Sequence, residues 1–88
     1  MAYTYILRLN NNKYYVGSTI NLQHSIQEHR EGKDFYTKAY LPIELVYYEE
    51  YETEAEACKR EFQLKGWSRA KKENLISGEW GKYNRSLS

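Results

Sequence analysis

Two tyrosines, Tyr5 in YTYIL and Tyr15 in YYVGS, stand near the ends of two segments that read as paired strands. Gly17 follows closely after Tyr15. A glycine there permits a bulge or a close backbone approach, and a phosphate can use either. Further on, a helical stretch presents Ser25, and His29 at i+4 shares its face. Glu61 lies on a later helix with Lys65 at i+4. Phenol, hydroxyl, imidazole and carboxylate are groups that donate, accept and transfer protons. Each also has a plain structural use. A strand tyrosine packs in a sheet, a histidine near a helix C-terminus suits the helix dipole, and Glu61 with Lys65 makes an i, i+4 pair.

The elements that must position these groups are legible along the chain. Tyr3 to Leu9 is rich in aromatic and β-branched residues and reads as a strand. Asn10-Asn11-Asn12 is a turn signal, because Asn tolerates left-handed backbone angles. Lys13 to Gly17 completes a hairpin. Ser18-Thr19 or Asn21 caps a helix over residues 21–31, with Leu22, Ile26 and His29 on one face and Gly32 closing it. Pro42 precedes a third strand, Ile43 to Tyr51. Thr53 with Glu56 forms a capping box for a helix over Glu54 to Lys65, closed by Gly66. Ser68 caps a last helix that ends near Ser77-Gly78. The order ββαβαα predicts an α/β chain of the α+β type, with a small antiparallel three-stranded sheet flanked by helices. Cys58, Phe62 and Leu64 read as packed side chains, and Trp67 as the filler between the last two helices. Tyr14 points to the strand face opposite Tyr15.

Length and composition bound the rest. The chain has 88 residues, so it holds one domain, read here as residues 1–80 with a tail over 81–88 that carries Tyr83 just beyond Trp80. Net charge is +1, with 41% hydrophobic and 28% charged residues, which excludes an acidic disordered tail and a strongly basic histone-like protein. One cysteine excludes a disulfide framework and a Cys-rich zinc site. No stretch approaches a membrane span or a signal-peptide core, and the expected location is the cytoplasm. Ten tyrosines against two phenylalanines fit economical packing with hydroxyls at the edge of a small core. The charge is uneven: residues 42–57 carry six acids and no base, while the last third is basic. Lys59, Arg60, Lys65, Arg69, Lys71 and Lys72 form either a solvated face or a phosphate-contacting surface.

TYIL, YYVGST, NLQHSIQEHREGK and KREFQLKGWSRAKK, in this order, resemble a GIY-YIG nuclease domain of the small stand-alone URI type found in bacteria. The GIY element appears as Tyr3-Thr4-Tyr5 and the YIG element as Tyr15-Val16-Gly17. The resemblance implies a metal-dependent endonuclease acting on DNA, single- or double-stranded. It gives Tyr5 the role of general base or water-positioning group, Tyr15 a contact to the scissile phosphate, and His29 a part in proton transfer. It gives Glu61 one divalent metal, Mg²⁺ or Mn²⁺. Gly17, Lys65, Arg69, Lys71 and Lys72 become nucleic-acid contacts, and Asn74 the nearest match to a late asparagine found in some branches. A phenol with a pKa near 10 is a poor base at neutral pH, and a metal with cationic neighbours would lower it. One position departs from the pattern: Ser25 stands where the family has an arginine. Serine brings neither charge nor reach to a phosphate, and His24, its neighbour, points about 100° away. The resemblance therefore implies an impaired nuclease. The alternatives are a catalytically inactive nucleic-acid-binding module of the same fold, and a dimerising structural protein. The expected oligomeric state is a monomer or weak dimer.

Overall fold

The computed structural model describes residues 1–78. Strands β1 (Ala2–Arg8) and β2 (Tyr14–Thr19) form the expected hairpin. Its turn places Asn12 at φ 66°, with the Asn12 N–H donating to the Leu9 carbonyl and the Leu9 N–H to the Lys13 carbonyl, both at 2.9 Å. Strand β3 (Glu44–Tyr51) pairs antiparallel with the far side of β1, so β1 is central in the order β2-β1-β3.

Alternation along β1 builds two cores. Tyr5, Leu7 and Leu9 join Ile26 and Ile43 on one face. Ile6 and Val16 join Leu64 and Leu75 on the other. Helix α1 (Leu22–Arg30) covers the first face, and α2 (Glu54–Lys65) with α3 (Arg69–Ser77) covers the second. Asn21 caps α1 by accepting from the His24 N–H at 3.0 Å, and Ser68 caps α3 by accepting from the Lys71 N–H at 3.2 Å. Both bonds of the Thr53–Glu56 capping box are present.

One anchor locks α2 to β3. The Glu49 carboxylate is 3% exposed and takes both prongs of the Arg60 guanidinium, at 2.9 and 3.0 Å. The Tyr47 and Tyr51 hydroxyls also donate to it. Arg60 therefore serves the interior, with its guanidinium over the Trp67 ring as well.

The order ββαβαα gains one element, a 3₁₀ turn over Thr37–Tyr40 between α1 and β3. Two packing expectations are corrected. Phe62 is 82% exposed, because the buried stripe of α2 runs through Ala57 and Leu64, and position 62 lies about 200° from position 64 around the helix. Cys58 is exposed too, one step off the same stripe. Trp80, Tyr83 and the expected tail lie outside the described residues. No described helix is long and apolar enough to cross a membrane.

Candidate active site

Tyr5 and Gly17 are register partners across the hairpin and face the α1 layer. A Cβ on Gly17 would lie 2.6 Å from the Tyr5 hydroxyl oxygen and 2.7 Å from Cζ. Gly17 is thus required by space, and the group that approaches its backbone is the Tyr5 ring. This seats the phenol flat across β2 and aims its hydroxyl at α1. There the Tyr5 oxygen meets His29 Nε2 at 3.0 Å. On the other side of the imidazole, Nδ1 meets Thr37 Oγ1 at 2.8 Å. Tyr5, His29 and Thr37 are all buried. The Tyr15 ring stands edge-on to His29 with centroids 5.3 Å apart, and 6.5 Å from Tyr5.

These groups open onto a cleft of about 300 Å³. Tyr5, Tyr15 and His29 form its floor, and Ser18 and Ser25 line it from β2 and α1. Glu28, Lys33 and Asp34 complete it. The Ser25 hydroxyl donates to Thr19 Oγ1 at 2.6 Å, so position 25 does belong to the cleft and brings it no charge. Lys33 is the cationic side chain among the lining residues, and it pairs with Glu31 at 3.1 Å. His24 lines a different groove with Arg30 and Leu45, so it does not stand in for position 25.

Glu61 reaches this region from the opposite layer. Its Oε1 accepts from the Ser18 hydroxyl at 2.6 Å, and its Oε2 pairs with Lys65 at 2.7 Å. The carboxylate sits behind Ser18, at the edge of the cleft. Its charge is felt inside, where it acts on both Tyr5 and Tyr15.

Electrostatics favours neutral groups in the cleft. Burial first, then Tyr15, Asp34, Glu61 and Glu28, push the Tyr5 phenol far above its usual 10. Burial also raises Tyr15, with Asp34 and Glu61 adding to it. Burial lowers His29 below its ordinary 6.5, against the opposing pull of Asp34 and Glu28. The protein's own groups therefore move Tyr5 in the direction opposite to that needed for a base. At neutral pH a neutral phenol faces a neutral imidazole.

The basic run divides. Arg60 is spent on Glu49. Arg69 donates to the Asn12 carbonyl, pairs with Glu73 and covers the Tyr14 ring. Lys71 lies over Trp67 at 4.3 Å. Tyr14 and Trp67 pack on the α2–α3 face, so Arg69, Lys71 and Lys72 belong to the layer across the sheet from the cleft. Lys65 alone of the four lysine and arginine contacts borders it, through Glu61. Asn74 is exposed on α3 and is not a lining residue.

The sequence does not mark Thr37, Glu28, Lys33 and Asp34 as site residues, and it marks Ser18 only as a helix cap. Thr37 and Asp34 sit in a loop with no motif. For Ser18 and Lys33 the signal was adjacency, to Gly17 and to the C-terminus of α1.

A hairpin with a ring-over-glycine contact, a helix that delivers histidine, and a second helix that delivers one carboxylate define a small nuclease-type domain. Residues 1–74 match the GIY-YIG catalytic domain family, and the chain belongs to it. It is 38% identical over 80 residues to a UPF0213 protein of Natronomonas pharaonis, covering 90% of this chain and 94% of that one. It is 40% identical over 76 residues to a UPF0213 protein of Staphylococcus saprophyticus, covering 85% and 93%. The solution NMR structure of a UPF0213 protein of Bacillus halodurans superposes with a TM-score of 0.59 at 34% identity, over 98% of this chain and 94% of that one. The enzyme class rests on the catalytic-domain family, since the relatives' names carry no activity.

Proposed function

We propose that the protein hydrolyses phosphodiester bonds of DNA, with divalent metal, at a rate held down by Ser25. The observation that carries this reading is the convergence of Tyr5, Tyr15, His29 and Ser25 on one cleft, with the Glu61 carboxylate at its edge. Tyr5 and His29 share one proton-bearing contact where a water and a phosphate have room. Tyr15 and Lys33 border the space a phosphate would take.

The residues fit magnesium or manganese. Among the described residues no three His, Cys, Asp or Glu side chains gather as a cage. Magnesium takes oxygen ligands, keeps several waters, and is commonly held by one or two carboxylates plus substrate phosphate. Glu61 supplies such a carboxylate, and Ser18 fixes its orientation. When bound, the ion supplies positive charge against the developing phosphate oxyanions. Lys65 holds the Glu61 carboxylate in the meantime.

A second reading has two observations of its own. The cleft lacks a guanidinium at position 25, and its phenols are raised, which suits a module that binds nucleic acid without cutting it.

Cleavage of single- and double-stranded DNA with Mg²⁺ separates the two. Ser25→Arg should accelerate cleavage by about 10²–10³-fold, the usual worth of one transition-state charge contact, and Glu61→Ala should abolish it. A folded Ser25→Arg protein that binds DNA and never cuts it would leave the binding-module reading standing alone.

A further inference from the structure

The loop between α1 and β3 presents two aromatic rings to solvent. Phe35 is 85% exposed and Tyr36 54%. Tyr36 reaches the cleft through Tyr15, and Phe35 lies in the chain between Tyr36 and the lining residue Asp34. The loop is braced. Asp34 Oδ1 accepts from the backbone N–H groups of Tyr36 and Thr37 at 2.9 and 3.0 Å, and the Asp34 carbonyl accepts from the Lys38 N–H at 3.0 Å. Phe35 is therefore presented on a fixed turn. Tyr36 stacks on Tyr15, with centroids 5.8 Å apart and planes 26° apart. A run of rings thus leads from the buried Tyr5 through Tyr15 to the surface at Tyr36. Lys38 Nζ lies 5.0 Å from the Phe35 centroid, so a positive charge accompanies the exposed ring.

We propose that Phe35 and Tyr36 form a stacking platform for unpaired nucleobases flanking the phosphate in the cleft, so that the preferred substrate is single-stranded nucleic acid. Exposed aromatic faces beside cationic side chains are how proteins hold single strands, because every base has a π-face to offer. A blunt duplex has its bases stacked on one another and offers such a face only at its ends. Charge complementarity favours this occupant: Lys33 and Lys38 stand on the same loop as the two rings. The platform rests on the nuclease reading only in taking the cleft as the place of the phosphate.

Binding without metal tests it apart from cleavage. Fluorescein-labelled oligothymidylate, with the blunt dA·dT duplex of equal length for comparison, is titrated with protein in EDTA and followed by anisotropy. The parent should bind the single strand more tightly than the duplex. Phe35→Ala and Phe35→Leu should each weaken single-strand binding by about tenfold, the scale of one lost base stack, and leave duplex binding unchanged. Phe35→Trp should keep the affinity, and its added fluorescence should quench on binding. Phe35 is so exposed that none of these changes threatens the fold. Equal single-strand binding by parent and Phe35→Ala overturns the platform, as does equal loss on the duplex, or a parent that binds no oligonucleotide. Metal-dependent cleavage with Phe35-independent binding removes the platform and spares the nuclease. Phe35-dependent binding with no cleavage in any variant does the reverse.

Discussion

Thr37 Oγ1 stands 2.8 Å from His29 Nδ1, and it has no other hydrogen-bond partner among the described residues. A buried hydroxyl has one proton to place, and leaving it unplaced costs about 1–3 kcal/mol. Nδ1 is the acceptor within reach. The Thr37 hydroxyl therefore donates to Nδ1, His29 carries its proton on Nε2, and Nε2–H donates to the Tyr5 oxygen. Tyr5 is left free to direct its own proton into the cleft. Nitrogen-15 NMR of the imidazole should show the Nε2–H tautomer. Thr37→Val should release that preference and Thr37→Ser restore it. An Nδ1–H tautomer in the parent would reverse the direction of the whole chain.

The acid limit of stability follows from the same histidine. His29 has a folded pKa lowered from 6.5 by burial. The unfolded chain therefore binds a proton that the folded one refuses. The resulting stability is present above pH 6.5 and is lost as pH falls through the lower folded value. Urea midpoints measured from pH 7.5 downward should decline below about pH 6.5, and a His29→Gln protein should lose that part of the decline. The raised Tyr5 gives the mirror effect, a loss of stability as pH rises above 10.

Gly17→Ala should be costly for a reason unrelated to backbone angles. The new methyl would meet Tyr5 Oη and Cζ at 2.6 and 2.7 Å, and the ring is held between β1 and α1. Overpacking of this kind costs about 1–3 kcal/mol. Denaturant titration reads the loss. Tyr5→Phe should relieve little of it, because Cζ remains.

Glu49→Gln leaves the partly buried Arg60 guanidinium against a neutral amide. Breaking one side of a buried pair costs about 3–5 kcal/mol. The double variant Glu49→Leu, Arg60→Met should recover most of it, since apolar replacement removes both charges together. A single variant within 1 kcal/mol of the parent, well short of that range, would show that α2 stays packed on β3 without the ion pair.

Lys33→Ala should weaken DNA binding and lessen its salt dependence, because the cleft loses the cation among its lining residues. Lys71→Ala, on the far layer, should change binding at the cleft far less.

Local chemistry determined the helices and the hairpin. The Thr53–Glu56 box and Ser68 are caps whose bonds lie within three residues of the cap, so the sequence alone places them, while for α1 the structure chose Asn21 over Ser18-Thr19. Alternation in β1 likewise puts Tyr5 and Ile6 on opposite faces of the sheet, and the packing of the helices decides which layer covers each. The family pattern marked Tyr5, Tyr15, Ser25, His29 and Glu61, and the fold brings the first four to one cleft with Glu61 behind Ser18. What it could not mark depends on distance in space. Thr37 acquires its use only because the 3₁₀ turn folds back under α1. Arg60 turns inward because Glu49 is opposite it across two elements. Phe62 faces water because the stripe of α2 is set by where the sheet lies, two residues further on. Even the direction of the Tyr5 pKa came from burial and from carboxylates scattered over two layers, and those meet only once the chain has folded.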